Sequence, residues 1–318
     1  MPYSLSTRLS TRLSRANPTV RGSPDTGPSR GFAVGGRPPT AGRPTLRAVA
    51  LTPLAPGVLA WLHDAPGRGR PNAGVIVDPD GVTVVDTLMT PDQYEPFAAE
   101  VEAIGLPVRR IVLTGSSVEQ AGGTGRLKLA AVYGSRQASV HLDQPPNVDS
   151  WRALYPAAAD LFEDVVTRPV SHVVAADVQL TPAVTLVATG GQMAENVVAV
   201  VPGAQILFAG AMCSFGAAPL CWQGDAARWA DELDRLMELA PIVVPGHGPV
   251  GGDEEVRDLQ AYLRACVAAG GDPARLGRGP WDTWADREHD EVNVERAALL
   301  AAGDDAVPTS MLRLAGIA

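Results

Sequence analysis

Apolar residues recur along most of the chain with one of two periods. Two runs rich in β-branched residues flank the turn sequence Asp78-Pro79-Asp80-Gly81 and predict a β-hairpin over residues 72–86. Other apolar runs are short and lack helical spacing, which indicates strands. These further strands are predicted over residues 58–62, 108–113, 131–133, 172–174, 184–188, 197–201, 206–209 and 242–244.

Helical spacing of apolar residues alternates with the later strands. Thr90 and Pro91 are typical of an N-cap and a first helical residue, and Asp149 and Asp225 are typical caps. The pattern predicts a helix after each cap, a short helix over residues 125–130 and a long one over 252–268. Strands first, with helices interspersed later, suit two mixed sheets packed face to face with helices outside.

The most informative stretch follows the strand predicted at residues 108–113. It reads Thr114-Gly115-Ser116-Ser117-Val118-Glu119-Gln120-Ala121-Gly122-Gly123. This stretch resembles the metal-binding loop of the metallo-β-lactamase superfamily, in which Thr-His-x-His-x-Asp-His-x-Gly-Gly follows a strand and supplies zinc ligands. The threonine and the glycine pair match that frame. The four ligand places hold, in order, Gly115, Ser117, Glu119 and Gln120.

Three further stretches carry the same resemblance, which runs from about residue 46 to 270. The hairpin over residues 72–87 is similar to the family's opening hairpin, and residues 197–210 are similar to its late pair of strands. Residues 225–229, followed by Pro245-Gly246-His247-Gly248-Pro249, are similar to its closing helix and histidine loop. The resemblance implies an α+β fold, a four-layer αββα sandwich of two mixed β-sheets.

The two remaining ligand places of the family also lack their usual residues. Gln192 stands where the third histidine of the first zinc is expected, and Ala211 stands where the bridging aspartate is expected. His247 alone is retained in type. Zinc sites use three or four protein ligands, so we expect no bound zinc and no other cofactor.

A cleft without metal ligands is still expected to have a lining. By the resemblance it consists of Gly115, Gln120, Gln192 and Ala211, together with Asp86. The family's counterpart of Asp86 supports the metal loop through hydrogen bonds to it. We expect Asp86 to accept backbone N–H groups around residues 114–116.

Three residues are candidates for catalysis at this cleft. Glu119 and His247 are an acid and base pair, and Ser117 is a nucleophile if it contacts His247. Serine is shorter than the histidine it replaces, which disfavours that contact. The Pro-Gly-His-Gly-Pro turn also fits a structural His247 that bonds neighbouring backbone. Cys213 lies in an apolar neighbourhood that is typical of an inert thiol.

Composition divides the chain into three parts. Residues 1–45 are rich in Arg, Ser and Pro and lack apolar periodicity, so we expect a disordered tail. The resemblance implies a metallo-β-lactamase-like domain over residues 46–270, and we expect residues 271–318 to form a C-terminal extension that packs on it. Residues 1–48 hold eight arginines and one acid, which gives them a net charge of +7. Since the whole chain has a net charge of −9, the remaining residues carry a net charge of −16.

This charge and composition exclude several classes of partner. A folded part so acidic is unsuited to nucleic acid, and no run of about 18 apolar residues predicts a membrane span. Three scattered cysteines are typical of a reducing compartment, so we expect a cytoplasmic protein. One lysine among 26 basic residues indicates a GC-rich, bacterial coding sequence.

The sequence leaves three hypotheses for function. The first is a non-catalytic homologue of the zinc hydrolases that keeps its cleft for a small-molecule ligand or for regulation. The second is a metal-independent hydrolase of a small acyl, ester or lactone substrate that uses Glu119 and His247. The third is a hydrolase with one weakly bound metal ion.

Overall fold

The computed structural model describes residues 50–317. The tail predicted over residues 1–45 and the domain start at residue 46 lie outside that range. Within it, the hydrophobic patterns produce two mixed sheets. No helix in the described residues is long and apolar enough to cross a bilayer.

The first sheet has seven strands in the order of the chain. Neighbours are antiparallel from β1 to β4 and parallel from β4 to β7. The predicted hairpin is present, with Asp78 paired to Gly81 across its turn. The strands are β1 (Leu51–Ala55), β2 (Val58–Trp61), β3 (Ala73–Asp78), β4 (Gly81–Val85), β5 (Val108–Val112), β6 (Ala131–Gly134) and β7 (His172–Val173).

The second sheet has five strands in the order β12-β11-β10-β9-β8. Its neighbours are antiparallel except for the parallel pair β11 and β12. That parallel pair brings the ends of both strands to the same edge. The strands are β8 (Val178–Gln179), β9 (Thr185–Thr189), β10 (Asn196–Val201), β11 (Ile206–Ser214) and β12 (Ile242–His247).

Helices cover the outer faces of both sheets. Asp225 caps α5 as predicted, because its side chain accepts the N–H groups of Ala227 and Arg228. The helices are α1 (Pro91–Ala103), α2 (Val118–Ala121), α3 (Arg136–Leu142), α4 (Val148–Leu154), α5 (Ala226–Met237), α6 (Asp253–Ala268), α7 (His289–Ala301) and α8 (Thr309–Leu314).

Three apolar clusters join the layers. Ile76 and Val112 of the first sheet meet Phe208 of the second in the central cluster. A second cluster packs α1 on the first sheet, and a third packs α5, α6 and α7 on the second sheet. Strands β4 and β10 are buried on both faces, which explains their continuous apolar sequences. The predicted four-layer αββα sandwich of two mixed sheets is confirmed.

Two helices differ from the prediction. The helix expected after Asp149 is capped by Asn147 and ends at Leu154, and a 3₁₀ turn over Pro156–Leu161 follows. Pro156 disfavours helical backbone in the preceding Tyr155, which adopts φ −126° and ψ 65°.

The helix expected over residues 125–130 is also wrong. The helical segment there begins earlier, with α2, and continues as a 3₁₀ turn over Gly122–Arg126. The glycine pair is needed for packing at this turn, since a Cβ on Gly122 would lie 2.2 Å from the carbonyl oxygen of Met89.

Candidate functional site

The site lies where the ends of β4, β5 and β12 meet the loop that joins β2 to β3. We call residues 63–70 of that loop the covering loop. Asn72 fixes the end of the covering loop, because its side-chain amide donates to the carbonyls of Pro245 and Gly248 at 3.0 and 2.8 Å. The covering loop therefore lies against the turn that carries His247.

Asp86 follows β4 in a left-handed conformation, with φ 58°. Its carboxylate accepts the backbone N–H of Thr114 at 2.8 Å and the hydroxyl of Thr114 at 2.6 Å. The same hydroxyl accepts the N–H of Ala211 at 2.9 Å. Asp86 and Thr114 thus join the first sheet to β11.

Burial dominates the electrostatics of Asp86. Loss of solvent raises its pKa to about 7, although the hydrogen bonds from Thr114 and the charge of His247 act in the opposite direction. A carboxyl group with this pKa carries a proton in part of the molecules at neutral pH.

Glu119 and His247 form an ion pair under the covering loop. Nε2 of His247 lies 3.3 Å from Oε2 of Glu119, and the side chains are 17% and 10% exposed. Oε1 of Glu119 accepts the N–H of Gly69 at 2.6 Å. Nδ1 of His247 donates to the carbonyl of Gly67 at 3.0 Å. Both ring nitrogens and both carboxylate oxygens therefore have partners within the chain.

The pair favours its own charged form. Burial alone would lower the pKa of His247, but the Glu119 carboxylate raises it above its ordinary value. Burial likewise opposes ionisation of Glu119, yet the charge and hydrogen bond of His247 lower its pKa. With Nδ1 donating to a carbonyl and Nε2 facing a carboxylate, the surroundings of His247 favour its protonated, imidazolium form.

Tyr155 borders the same carboxylate from the first sheet's side. It stands at the helix break before Pro156, and burial beside the charge of Glu119 raises its pKa. The guanidinium of Arg68, from the covering loop, lies 5.8 Å from the centre of the Tyr155 ring. Sequence reasoning missed Tyr155 and Arg68 as site residues.

Ser117, the candidate nucleophile, contacts its own helix and not His247. The hydroxyl of Ser117 donates to Oε1 of Gln120 at 2.5 Å, three residues along, and makes no hydrogen bond with His247. The short serine side chain forms its hydrogen bond within its own helical turn and does not extend across the site. The contact between Ser117 and His247 that the short serine side chain disfavours is not formed in the described residues, and a catalytic role for Ser117 stays a hypothesis.

The other residues expected to line the cleft contact one another or neighbouring side chains of the chain. A Cβ on Gly115 would lie 3.2 Å from the Ala211 side chain and 3.3 Å from the Gln120 amide oxygen, so these three places adjoin. The amide oxygen of Gln192 accepts from Asn196 at 3.0 Å.

A different serine contacts a histidine nearby. The hydroxyl of Ser116 lies 2.8 Å from Nδ1 of His141, and both side chains are half-buried. Burial lowers the pKa of His141, which favours the neutral ring. Helix α3, which carries His141, has no clear apolar period, and no signal in the sequence placed it here.

Zinc does not fit this donor set. At the six places where the family holds its ligands, this chain has one imidazole and one carboxylate, which are bonded to each other. Gln120 and Gln192 are neutral amides that already accept hydrogen bonds. In residues 50–317, no three His, Cys, Asp or Glu side chains are grouped as ligands for a metal ion.

Comparison with known proteins agrees with this geometry at the level of fold. A metallo-β-lactamase from Erythrobacter litoralis is 21% identical, with a TM-score of 0.51, over 68% of this chain and 96% of that one. A metallo-β-lactamase from Pontibacter korlensis is 19% identical, with a TM-score of 0.53, over 68% and 99%. FIM-1 from Pseudomonas aeruginosa, in its mono-zinc form, is 18% identical, with a TM-score of 0.53, over 69% and 96%.

At these identities the solved structures show the fold alone. The comparison with curated proteins finds no match. The sequence model of the metallo-beta-lactamase superfamily matches residues 66–308, which is well over half of the chain. That span contains both sheets except β1 and β2, and it includes Glu119 and His247. The chain belongs to the metallo-beta-lactamase superfamily.

Proposed function

We propose that this protein is a zinc-independent, non-hydrolytic member of the superfamily that binds a small molecule at the covering loop. One observation carries the proposal. Glu119 and His247, the two ligand-type side chains left at the family's metal places, are bonded to each other and to the backbone of Gly67 and Gly69. The ion pair holds the covering loop at the place where a metal would otherwise join the loops.

Hydrolysis by this pair is disfavoured by its geometry. A general base must come within hydrogen-bonding reach of the proton that it removes. Both oxygens of Glu119 already accept hydrogen bonds, and both nitrogens of His247 are engaged. Freeing either group requires the covering loop to leave and the ion pair to break.

Metal analysis and activity assays test the proposal together. We expect less than about 0.1 zinc per chain in protein purified without chelator, since two ligand-type side chains are too few. We expect no turnover of β-lactam, ester or lactone substrates, with or without added zinc. Near-stoichiometric zinc that chelators remove slowly, or turnover lost in His247→Gln, would overturn it.

A metal-independent hydrolase of a small acyl, ester or lactone substrate is the second candidate. The contact that favours it is not Glu119 with His247 but Ser116 with His141, at 2.8 Å, which has the separation of a nucleophile and its base. A fluorophosphonate probe distinguishes the candidates. Labelling that disappears in Ser116→Ala and persists in Ser117→Ala would favour the hydrolase, and absence of labelling agrees with the first proposal.

A further inference from the structure

Arg68 lies in the covering loop, and one N–H group of its side chain has no hydrogen-bond partner in the described residues. Its backbone N–H is held by Oδ2 of Asp286 at 2.6 Å, and its guanidinium faces the Tyr155 ring. Nη1 of Arg68 is shielded from solvent and has no acceptor in the described part of the chain. A shielded cationic donor without an acceptor is costly, so such groups normally have an anionic partner.

Two carboxylates near Arg68 already accept hydrogen bonds from other groups. Oδ2 of Asp286 accepts the backbone N–H of Arg68, and Glu119 is paired with His247. The guanidinium has a planar fork of N–H groups that matches the two oxygens of a carboxylate or a phosphate. An external oxyanion is therefore the partner that its chemistry favours.

His289 supplies a second, independent observation. It is 2% exposed, and its Nδ1 donates to the carbonyl of Ala218 at 2.8 Å, while Nε2 has no partner in residues 50–317. Its backbone N–H is bonded to the carbonyl of Asp286, the residue that also holds Arg68. Burial lowers the pKa of His289, so the ring is neutral and Nε2 is an acceptor for an O–H group.

We propose that Arg68 and His289, whose backbone N–H groups both donate to Asp286, bind a small oxyanion, a carboxylate or a phosphate group, with Arg68 as its main partner. This inference names the ligand class of the site proposed above and rests on that proposal. Arg68 binds the charge through its fork. Nε2 of His289 accepts a hydrogen bond from a hydroxyl group of the ligand, such as the hydroxyl of hydrogen phosphate or of a hydroxy acid.

Calorimetric titration of the full chain tests the inference. Inorganic phosphate and acetate are titrated separately at constant ionic strength, which distinguishes the two sources of the oxyanion. Arg68→Gln removes the fork. Arg70→Gln is the matched control, because Arg70 lies two residues away in the same loop, is exposed and carries the same charge. Arg68→Lys keeps the charge and loses the fork.

We expect saturable binding of at least one of the two anions by the wild type and by Arg70→Gln. Affinity should fall roughly ten- to hundredfold in Arg68→Gln, the loss expected for hydrogen bonds to a charged group. If Arg68→Gln does not fold, as judged by circular dichroism, Arg68→Lys takes its place, and weaker binding there supports the inference equally.

Two results would overturn it. One is the absence of saturable binding of both anions to the wild type, and the other is equal binding by the wild type and the folded Arg68 variant. Zinc content is measured on the same samples. Stoichiometric zinc contradicts the proposed function, whereas absence of anion binding by zinc-free wild-type protein contradicts only the assignment of the oxyanion.

Discussion

His247 lies 3.3 Å from Glu119, so two side chains that stand at separate ligand places in the family are bonded directly to each other. The distance leaves no room for an ion between the two groups. An ion pair of this kind stabilises the protein only while both members are charged, and this makes its contribution depend on pH.

His247→Gln should lower the free energy of unfolding by about 1 kcal/mol or more near pH 6, the range for a charge-assisted hydrogen bond. His247 has a raised pKa in the folded state, so its contribution is full below the ordinary value of 6.5 and is lost as pH rises through the raised value. Glu119 has a lowered pKa, so its contribution is full above 4.5 and is lost as pH falls through the lowered value.

The loss in His247→Gln should therefore be smaller at pH 9 than at pH 6. Urea unfolding at both pH values measures it. His172→Gln is the control, because His172 is exposed on β7. A loss of the same size at both pH values would show that the side chain acts through packing and not through its charge.

Glu119→Gln should loosen the covering loop. The amide keeps the shape of the side chain but removes the charge that holds His247 and strengthens the bond from Gly69. Hydrogen exchange of peptides that contain residues 63–70 should become faster. Glu95→Gln, which breaks an exposed pair with Arg126, should leave this exchange unchanged, and unchanged exchange in Glu119→Gln itself would contradict the role assigned to the pair.

Two buried threonines offer a matched comparison. Thr114 and Thr83 are both 0% exposed, but the Thr114 hydroxyl bonds Asp86 and Ala211, whereas the Thr83 hydroxyl has no partner in the described residues. Thr114→Val should cost about 1–3 kcal/mol because it removes the hydroxyl partner of the buried Asp86 carboxylate and of the half-buried Ala211 N–H. Thr83→Val should be neutral or stabilising.

The difference between the two threonine variants should also depend on pH, because the Thr114 hydroxyl is hydrogen-bonded to Asp86. Its folded pKa of about 7 lies above the ordinary 3.8, so its contribution is full below 3.8 and declines as pH rises through 7. Without the Thr114 hydroxyl the pKa of Asp86 should rise further. Thermal unfolding at several pH values would show the Thr114→Val protein losing more stability than Thr83→Val on the alkaline side, and parallel curves would argue against it.

Deletion of residues 1–45 should leave the melting temperature unchanged within a few degrees. The segment has too little apolar surface to offset the entropy of ordering it. Differential scanning calorimetry of the full and shortened chains measures the difference. A drop of about ten degrees or more would show that the arginine-rich segment stabilises the acidic domain.

Much of the fold could be predicted from local signals in the sequence. The hairpin turn before Gly81 and the cap at Asp225 gave element boundaries, because each has a local cause. The family frame indicated that Glu119 and His247 stand at adjacent places. Arg68 and Tyr155 could not be found in this way, since an irregular loop and a helix break take their course from distant contacts.

The hydrogen bond between Arg68 and Asp286 spans 218 positions of the chain. During synthesis the loop leaves the ribosome long before Asp286 exists, and at the usual speed of translation the interval is about 10 to 40 seconds. Arg68 cannot be anchored in that interval. Because His289 follows Asp286 in the chain, the proposed oxyanion site is completed only when this C-terminal part has been synthesised.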